Sequence, residues 1–144
     1  MNPCIIIDIE TTGLPNKPRG WSPGVVEIGA VVVTSDGQLA DTFDALVQQP
    51  PEHLTDHRAA FALGLADLTP ELITQKGRDA DRIAIRFACW LGAMAERHGA
   101  RHLQAFNQSF DFGFLTRSPW SVQATGLSQG EDIMTAAQSI MGPA

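Results

Sequence analysis

The interpretation of the chain depends on the stretch C-I-I-I-D-I-E-T-T-G-L at residues 4–14, where an apolar strand carries two acidic residues. It starts with four apolar residues, which are typical of a strand inside a sheet, and continues with Asp8 and Glu10. Because side chains two positions apart on a strand point to the same face, the two carboxylates should stand side by side. Two unpartnered carboxylates there would repel each other and resist desolvation. The stretch therefore predicts that a positive charge belongs beside them.

The length and composition are those of one soluble globular domain. The chain has 144 residues, of which 44% are hydrophobic and 18% charged, so we expect a single domain over residues 1–144. We find neither the ~18 consecutive apolar residues of a membrane span nor a signal-peptide pattern, and we expect a cytoplasmic protein without a membrane association. Cys4 and Cys89 lie in apolar segments without metal-ligand spacing and are expected to be buried free thiols.

The net charge of −6 argues against a protein that grips nucleic acid through a broad basic surface. It does not exclude an enzyme that holds a polyanion through bound cations, because the ions bring their own charge.

Hydrophobic periodicity along the chain indicates a mixed α/β domain. We predict, in chain order, strands at residues 4–9, 25–38 and 39–48, short helices within 53–75, a long helix at 79–97, a strand at 101–106, and helices at 107–115 and 130–142. An S-D-G-Q turn should join the second and third strands as a hairpin. The first three strands should be antiparallel and the fourth parallel to the first, with helices flanking the sheet. We expect no further strand before Ala144 to close the sheet.

Local signals mark the helix ends. Thr69 followed by Pro70 is a typical helix start, Asn107 is expected to cap the short helix, and Gly99 should end the long one. The long helix carries an apolar stripe that we expect to lie in the core: Ile83, Phe87, Trp90, Leu91 and Met94.

A third carboxylate, Asp111, lies in the first turn of the helix after the fourth strand. The carboxyl ends of neighbouring parallel strands meet at one edge of a sheet, so Asp111 should converge with Asp8 and Glu10. Clustered carboxylates suit Mg²⁺ or Mn²⁺, and two such ions about 3.5–4 Å apart can clamp a phosphodiester during hydrolysis. The alternatives are solvated acids at an exposed strand end, and for Asp111 an acid that interacts with the helix dipole.

The sequence segments around these acids resemble those of a known protein family. D-I-E-T-T-G-L at residues 8–14 and A-F-N-Q-S-F-D-F-G-F-L at 105–115, with V-V-E-I-G-A-V-V-V at 25–33 between them, resemble the DEDD family of 3′–5′ exonucleases, the group that includes proofreading subunits. The resemblance covers essentially the whole chain and implies a ribonuclease H-like mixed sheet. It implies that Asp8, Glu10 and Asp111 are the ligands of two Mg²⁺ or Mn²⁺ ions, with Asp8 bridging both.

The resemblance also implies a substrate site for a single-stranded 3′ end. Its residues would hold the terminal 3′-OH, pack on the terminal base or line the path of the strand: Thr11, Thr12, Gly13, Leu14, Asn107 and Phe110. A Leu or Phe surface accepts any base without reading its identity. The alternatives are turn chemistry at residues 11–13 and core packing for Leu14 and Phe110.

One expected family feature is missing. The family completes its site with a His, or in one branch a Tyr, followed a few residues later by a last Asp. None of the four histidines fits that position, and Asp132 resembles a different acid, the one that opens the helix after the second motif. We therefore expect a shortened family member, with a second copy or a partner chain able to complete the fold.

Three functions are consistent with these residues. The first is a metal-dependent 3′–5′ exonuclease that releases nucleoside monophosphates. The second is a catalytically incomplete nuclease-fold module that binds nucleic-acid ends or a partner protein. The third is a two-metal phosphohydrolase that acts on small nucleotides with the same carboxylates.

Overall fold

A five-stranded mixed sheet organises the part of the chain that the computed structural model describes, residues 2–14 and 20–130. The strands are β1 (Cys4–Thr11), β2 (Val25–Val33), β3 (Leu39–Leu46), β4 (His102–Ala105) and β5 (Ser128–Gln129), in the order β3-β2-β1-β4-β5. β1 pairs antiparallel with β2, and β2 with β3, whereas β4 runs parallel to β1. The predicted mixed sheet of three antiparallel strands and one parallel strand is confirmed.

Strand β5 corrects the expectation that no further strand follows β4. It pairs parallel with β4 through Ser128 and Gln129 only. Two residues are too few for an alternating pattern to show in the sequence, so the pairing depends on the surrounding structure. Residues 131–142 of the helix predicted at 130–142, Asp132 among them, lie outside the described residues.

The described segments hold five α-helices and a short 3₁₀-helix (Val122–Thr125), and the bounds of the α-helices are close to those predicted. The α-helices are α1 (Pro51–Leu54), α2 (His57–Leu65), α3 (Pro70–Lys76), α4 (Ala80–His98) and α5 (Gln108–Leu115). The Thr69 side chain accepts a hydrogen bond from the Leu72 amide and caps α3 as predicted. Gly99 ends α4 at φ +70, a left-handed conformation that favours glycine. Asn107 occupies the cap position of α5, but its side chain makes no capping hydrogen bond, which corrects that prediction.

The main core lies between α4 and the adjacent face of the sheet. Four of the five stripe residues are buried, and Trp90 is half-buried beside Phe43 and Phe87, with ring centroids 5.7 and 6.2 Å away. A smaller core lies beneath the α1–α3 segment and joins that segment to β2: Val26, Leu54, Leu63, Leu68 and Ile73. This second core fixes α2 near the end of β1.

The two thiols have different environments. Cys4 is buried in β1, and burial raises the pKa of its thiol. Cys89 is exposed, which corrects the prediction of two buried cysteines. The buried positions of α4 follow a helical stripe through Ile83, Phe87 and Leu91, and Cys89 lies off that stripe. Among the described helices, none combines the length and apolarity needed to cross a membrane.

Candidate active site

Cross-strand register places the first two acids on one face of the sheet. Asp8 pairs with Gly29 of β2 and Glu10 pairs with Glu27, while Ile9 between them is buried on the opposite face. Asp8 is exposed and Glu10 is half-buried. An irregularity follows at once, because Thr11 pairs with Val25 and the register shifts after Glu10. A bulge of this kind bends the strand and re-aims the side chains beside the acids.

Asp111 is brought to these acids by a hydrogen bond to the β1 backbone. The Ile9 amide donates to Asp111 Oδ1 at 3.2 Å, and only 4% of the Asp111 surface is exposed. Burial and then the negative charge of Asp8 raise the pKa of Asp111 to about 6, and the hydrogen bond from the Ile9 amide offsets only part of this increase. Since Ile9 lies between Asp8 and Glu10 in the chain, this bond joins Asp111 to the strand that carries the other two acids, and the charges of both raise its pKa.

A fourth acid, Glu27 of β2, is close enough to these carboxylates to feel their charge. Burial and then the charge of Asp8 raise the pKa of Glu10. The pKa of Glu27 is raised by burial and then by Asp44, Glu10 and Asp8, in that order. Sequence analysis did not single out Glu27, although its place in V-V-E-I-G-A, directly opposite Glu10 in the hairpin register, was the available signal.

The chemistry of the donor set fits a hard divalent cation. Asp8, Glu10 and Asp111 supply carboxylate oxygens. The pKa values of Glu10 and Asp111 are raised first by burial and then by the charge of Asp8, and a cation would relieve that repulsion. In residues 2–14 and 20–130, however, no three His, Cys, Asp or Glu side chains are already gathered into a shell that could hold an ion. Ion binding at these residues would therefore require side-chain rearrangement around a fixed Asp111.

The two threonines after Glu10 use their hydroxyls within the chain. Thr11 Oγ1 donates to the Gly13 carbonyl at 2.6 Å and accepts from the Gly13 amide at 3.3 Å. Thr12 Oγ1 accepts from the Gly24 amide at 2.9 Å, and the Thr12 amide donates to the Gly24 carbonyl at 3.0 Å. The turn alternative is thus realised in this geometry, because Thr12 ties the turn to the segment before β2.

A cleft of about 210 Å³ opens beside this turn. It gathers six positions, five of them predicted to contact substrate and the sixth the predicted ligand Glu10: Glu10, Thr11, Thr12, Gly13, Leu14 and Phe110. Leu14 is 47% exposed, and Phe110 is half-buried with its ring edge against Phe114 at 5.6 Å. Asn107 is exposed and does not line the cleft. Apolar surface next to carboxylates is therefore available to a base.

Two residues of the cleft were missed by sequence analysis. Arg58 and Ala62, one turn apart on α2, also line it. The predicted region of short helices gave no indication that this helix reaches β1. The i and i+4 spacing of Arg58 and Ala62 puts them on one helix face, but only the tertiary structure shows what that face meets.

The four histidines all lie in the described part of the chain, and none lines the cleft. His98 contacts Asp41 at 2.7 Å, and His102 contacts Ser128 at 2.8 Å. His53 stacks on Trp21 with ring centroids 4.1 Å apart, and His57 is exposed at the start of α2. These residues therefore supply no imidazole to the cleft.

Among the comparisons with known proteins, only the one with solved structures gives matches. No protein-family model matches the sequence, and no curated protein matches it significantly. E. coli exonuclease I in complex with a dT13 oligonucleotide matches with a TM-score of 0.64 and 16% identity, covering 98% of this chain and 30% of that one. The nuclease domain of 3′hExo, a DEDDh family member bound to rAMP, matches with a TM-score of 0.62 and 17% identity, covering 92% of this chain and 64% of that one.

A full-length 3′-exonuclease also matches, with a TM-score of 0.60 and 18% identity over 80% of this chain and 37% of that one. The chain thus spans about a third of exonuclease I and less than two thirds of the 3′hExo nuclease domain. At these identities the likeness establishes the fold. The chain has the ribonuclease H-like fold of solved 3′-exonuclease structures, as its sequence resemblance predicts.

Proposed function

We propose that the chain is the nuclease part of a metal-dependent 3′–5′ exonuclease of the DEDD family, which releases nucleoside monophosphates from nucleic-acid 3′ ends. The observation that carries the proposal is the bond from the Ile9 amide to buried Asp111, which joins it to the strand that carries Asp8 and Glu10. A buried carboxylate whose pKa is raised to about 6 by burial and by a neighbouring acid supports the proposal, because such perturbed groups cluster at functional sites.

The three carboxylates would hold the divalent cations. Bound there, Mg²⁺ or Mn²⁺ would neutralise charge that develops on the scissile phosphate and acidify an attacking water. The Ile9 amide fixes one oxygen of Asp111, so this ligand stays in place while Asp8 and Glu10 move to meet an ion. The raised pKa of Glu10 and Asp111 means that ion binding has to displace protons at low pH.

The cleft beside the carboxylates would hold the terminal nucleotide. Leu14 and Phe110 offer apolar surface to the base, which would accept any base because neither side chain reads hydrogen-bonding edges. The turn at Thr11 and Gly13 places the backbone next to Glu10, where the 3′-OH would lie. Thr12 would act indirectly, by holding the turn through Gly24.

The test is a ladder assay on a 5′-labelled single-stranded oligonucleotide with MgCl₂ or MnCl₂. We expect the strand to shorten one nucleotide at a time from its 3′ end, and an Asp8→Asn variant to lose this by orders of magnitude. Asp67→Asn is the matched control, because Asp67 is exposed, lies outside the cleft, and adopts φ 58, which Asn tolerates equally well. Equal shortening by the parent and the Asp8 variant would contradict the assignment.

A second function is favoured by one specific observation, the absence of any histidine from the lining of the cleft. General-base catalysis contributes about 10²–10⁴-fold, so these residues by themselves would give a slow enzyme or a module that binds nucleic-acid ends. Fluorescence anisotropy distinguishes the two. Divalent-dependent binding of a labelled oligonucleotide without shortening identifies a binding module, whereas binding with shortening identifies the exonuclease.

A further inference from the structure

Among the described residues that line the cleft, Arg58 is the one cationic side chain. It is exposed and makes no ion pair with a carboxylate in the described segments. Glu10 is the other charged group in the described part of the lining, and the chain as a whole carries a net charge of −6. An uncompensated guanidinium in such a negative field is the natural ligand of an anion that approaches the cleft.

The packing of α2 determines where Arg58 points. Asp56 caps the helix by accepting from the Ala59 amide at 3.1 Å, and Ala59 and Leu63 are buried. With that face held against the protein, Arg58 is left at the cleft and two large apolar residues are left in solvent: Phe61 is 69% exposed and Leu65 is 77% exposed.

These three residues form one stripe. Arg58, Phe61 and Leu65 follow each other at i, i+3 and i+7, so they lie on one side of α2, which we name the α2 outer face. The stripe begins at the cleft and leads away from it along the helix. A cation followed by exposed apolar and aromatic surface is the composition of a single-strand binding track, where phosphates meet cations and bases stack on rings.

We propose that the α2 outer face binds the nucleic-acid strand upstream of the 3′-terminal nucleotide, with Arg58 holding a backbone phosphate and Phe61 stacking on a base. The inference rests on the proposed function and adds to it a reason why a nucleic-acid strand binds more tightly than a single nucleotide. Single-stranded nucleic acid is the occupant because the face is continuous with the cleft and because Arg58 complements a phosphate. Arg58 and Phe61 are positioning residues in this account.

The experiment compares substrates with and without an upstream strand. The parent, Arg58→Gln and Phe61→Ala are assayed on oligo-dT of two, four and eight nucleotides and on the p-nitrophenyl ester of thymidine 5′-monophosphate, which has no upstream nucleotide. We expect Arg58→Gln to raise KM for the longer strands about tenfold with little change in kcat, and to leave KM for the ester unchanged. The slope of log KM against log salt should fall by about 0.7, the value for one phosphate contact on a single strand.

Arg82→Gln is the matched control, because Arg82 is also exposed and lies on α4, outside the lining of the cleft. Equal KM values for Arg58→Gln and Arg82→Gln on all strands would overturn the inference. A KM increase for the ester as large as that for the strands would also overturn it, since Arg58 would then bind the terminal nucleotide itself.

Failure of the proposed function gives a different result. If the parent hydrolyses neither the ester nor the strands, the exonuclease assignment falls, and anisotropy with 5′-fluorescein-labelled dT₈ tests the face by itself. Weaker binding by Arg58→Gln than by Arg82→Gln supports the α2 outer face, and equal binding overturns it. Sedimentation that shows a dimer dissociated by Phe61→Ala would overturn it in favour of an interface between two copies.

Discussion

Asp111 is subject to two opposing requirements. The hydrogen bond from the Ile9 amide holds it against the β1 backbone, beside the other acids of the proposed site, but burial next to Asp8 makes its ionised form costly. A protein selected for stability alone would place a neutral group there. Sites that bind cations accept this cost in the free protein because the ion relieves the repulsion when it binds.

Replacing this carboxylate should therefore stabilise the free protein. Asp111→Asn keeps an oxygen that accepts from the Ile9 amide and removes the buried charge. At pH 7.5 without divalent cations, we expect the free energy of unfolding to increase by up to about 3 kcal/mol, from the pKa change between 3.8 and about 6. Urea unfolding measures the difference, and the ladder assay should show activity lost in the same variant.

The stabilisation should depend on pH in a defined direction. The folded protein raises the pKa of Asp111, so the native state holds this proton more tightly than the unfolded chain does. The parent should match the variant below about pH 3.8 and lose stability relative to it as the pH rises through about 6. A stability difference that is constant from pH 4 to pH 8 would contradict the buried ionised carboxylate.

At the scale of elements, Gly77 shows how the α1–α3 segment is attached to the sheet. It ends α3, and a Cβ there would lie 2.5 Å from the Ile73 carbonyl oxygen and 3.0 Å from the Gln48 amide nitrogen. Both obstacles are backbone atoms, which cannot rotate away. The next residue, Arg78, pairs with the chain after β3, so this close approach fixes α3 against the sheet edge.

A matched pair of glycine substitutions tests this attachment. Gly77→Ala should destabilise the protein by about 1–3 kcal/mol through the backbone contacts. Gly92→Ala, inside α4 with no atom within 4 Å of the added Cβ, should instead stabilise it by about 0.5–1 kcal/mol. Thermal or urea unfolding of both variants checks the signs, and destabilisation of equal size in both would contradict the close approach at Gly77.

At the scale of the whole molecule, divalent cations should be linked to folding. If Asp8, Glu10 and Asp111 hold ions only in the folded state, Mg²⁺ or Mn²⁺ at about 100 times its Kd adds about 2.7 kcal/mol of stability. For a chain of this size, the corresponding rise in Tm is about 5–10 °C. We expect the divalent cation to raise the Tm of the parent but not that of Asp8→Asn or Asp111→Asn. NaCl at matched ionic strength is the control, and an equal rise in all three proteins would indicate nonspecific ion effects.

Much of the fold could be predicted because its determinants are local. The hairpin of β2 and β3, the start of α3 at Thr69 and the end of α4 at Gly99 each depend on a few neighbouring residues, and all three are confirmed. The two-residue strand β5 and the exposure of Cys89 were not predicted correctly, because the first is too short for a pattern and the second depends on how α4 is packed.

The sequence by itself determined that Asp8 and Glu10 share a face, since the period of a strand does that regardless of context. Only the tertiary structure decided that Asp111 is buried against the Ile9 amide, a contact between residues 102 positions apart. Tertiary structure likewise directed the Thr12 hydroxyl to Gly24 and brought Arg58 to the cleft. The physical reason is that periodicity and turns are properties of neighbouring residues, whereas burial and charge coupling arise only where distant segments pack together.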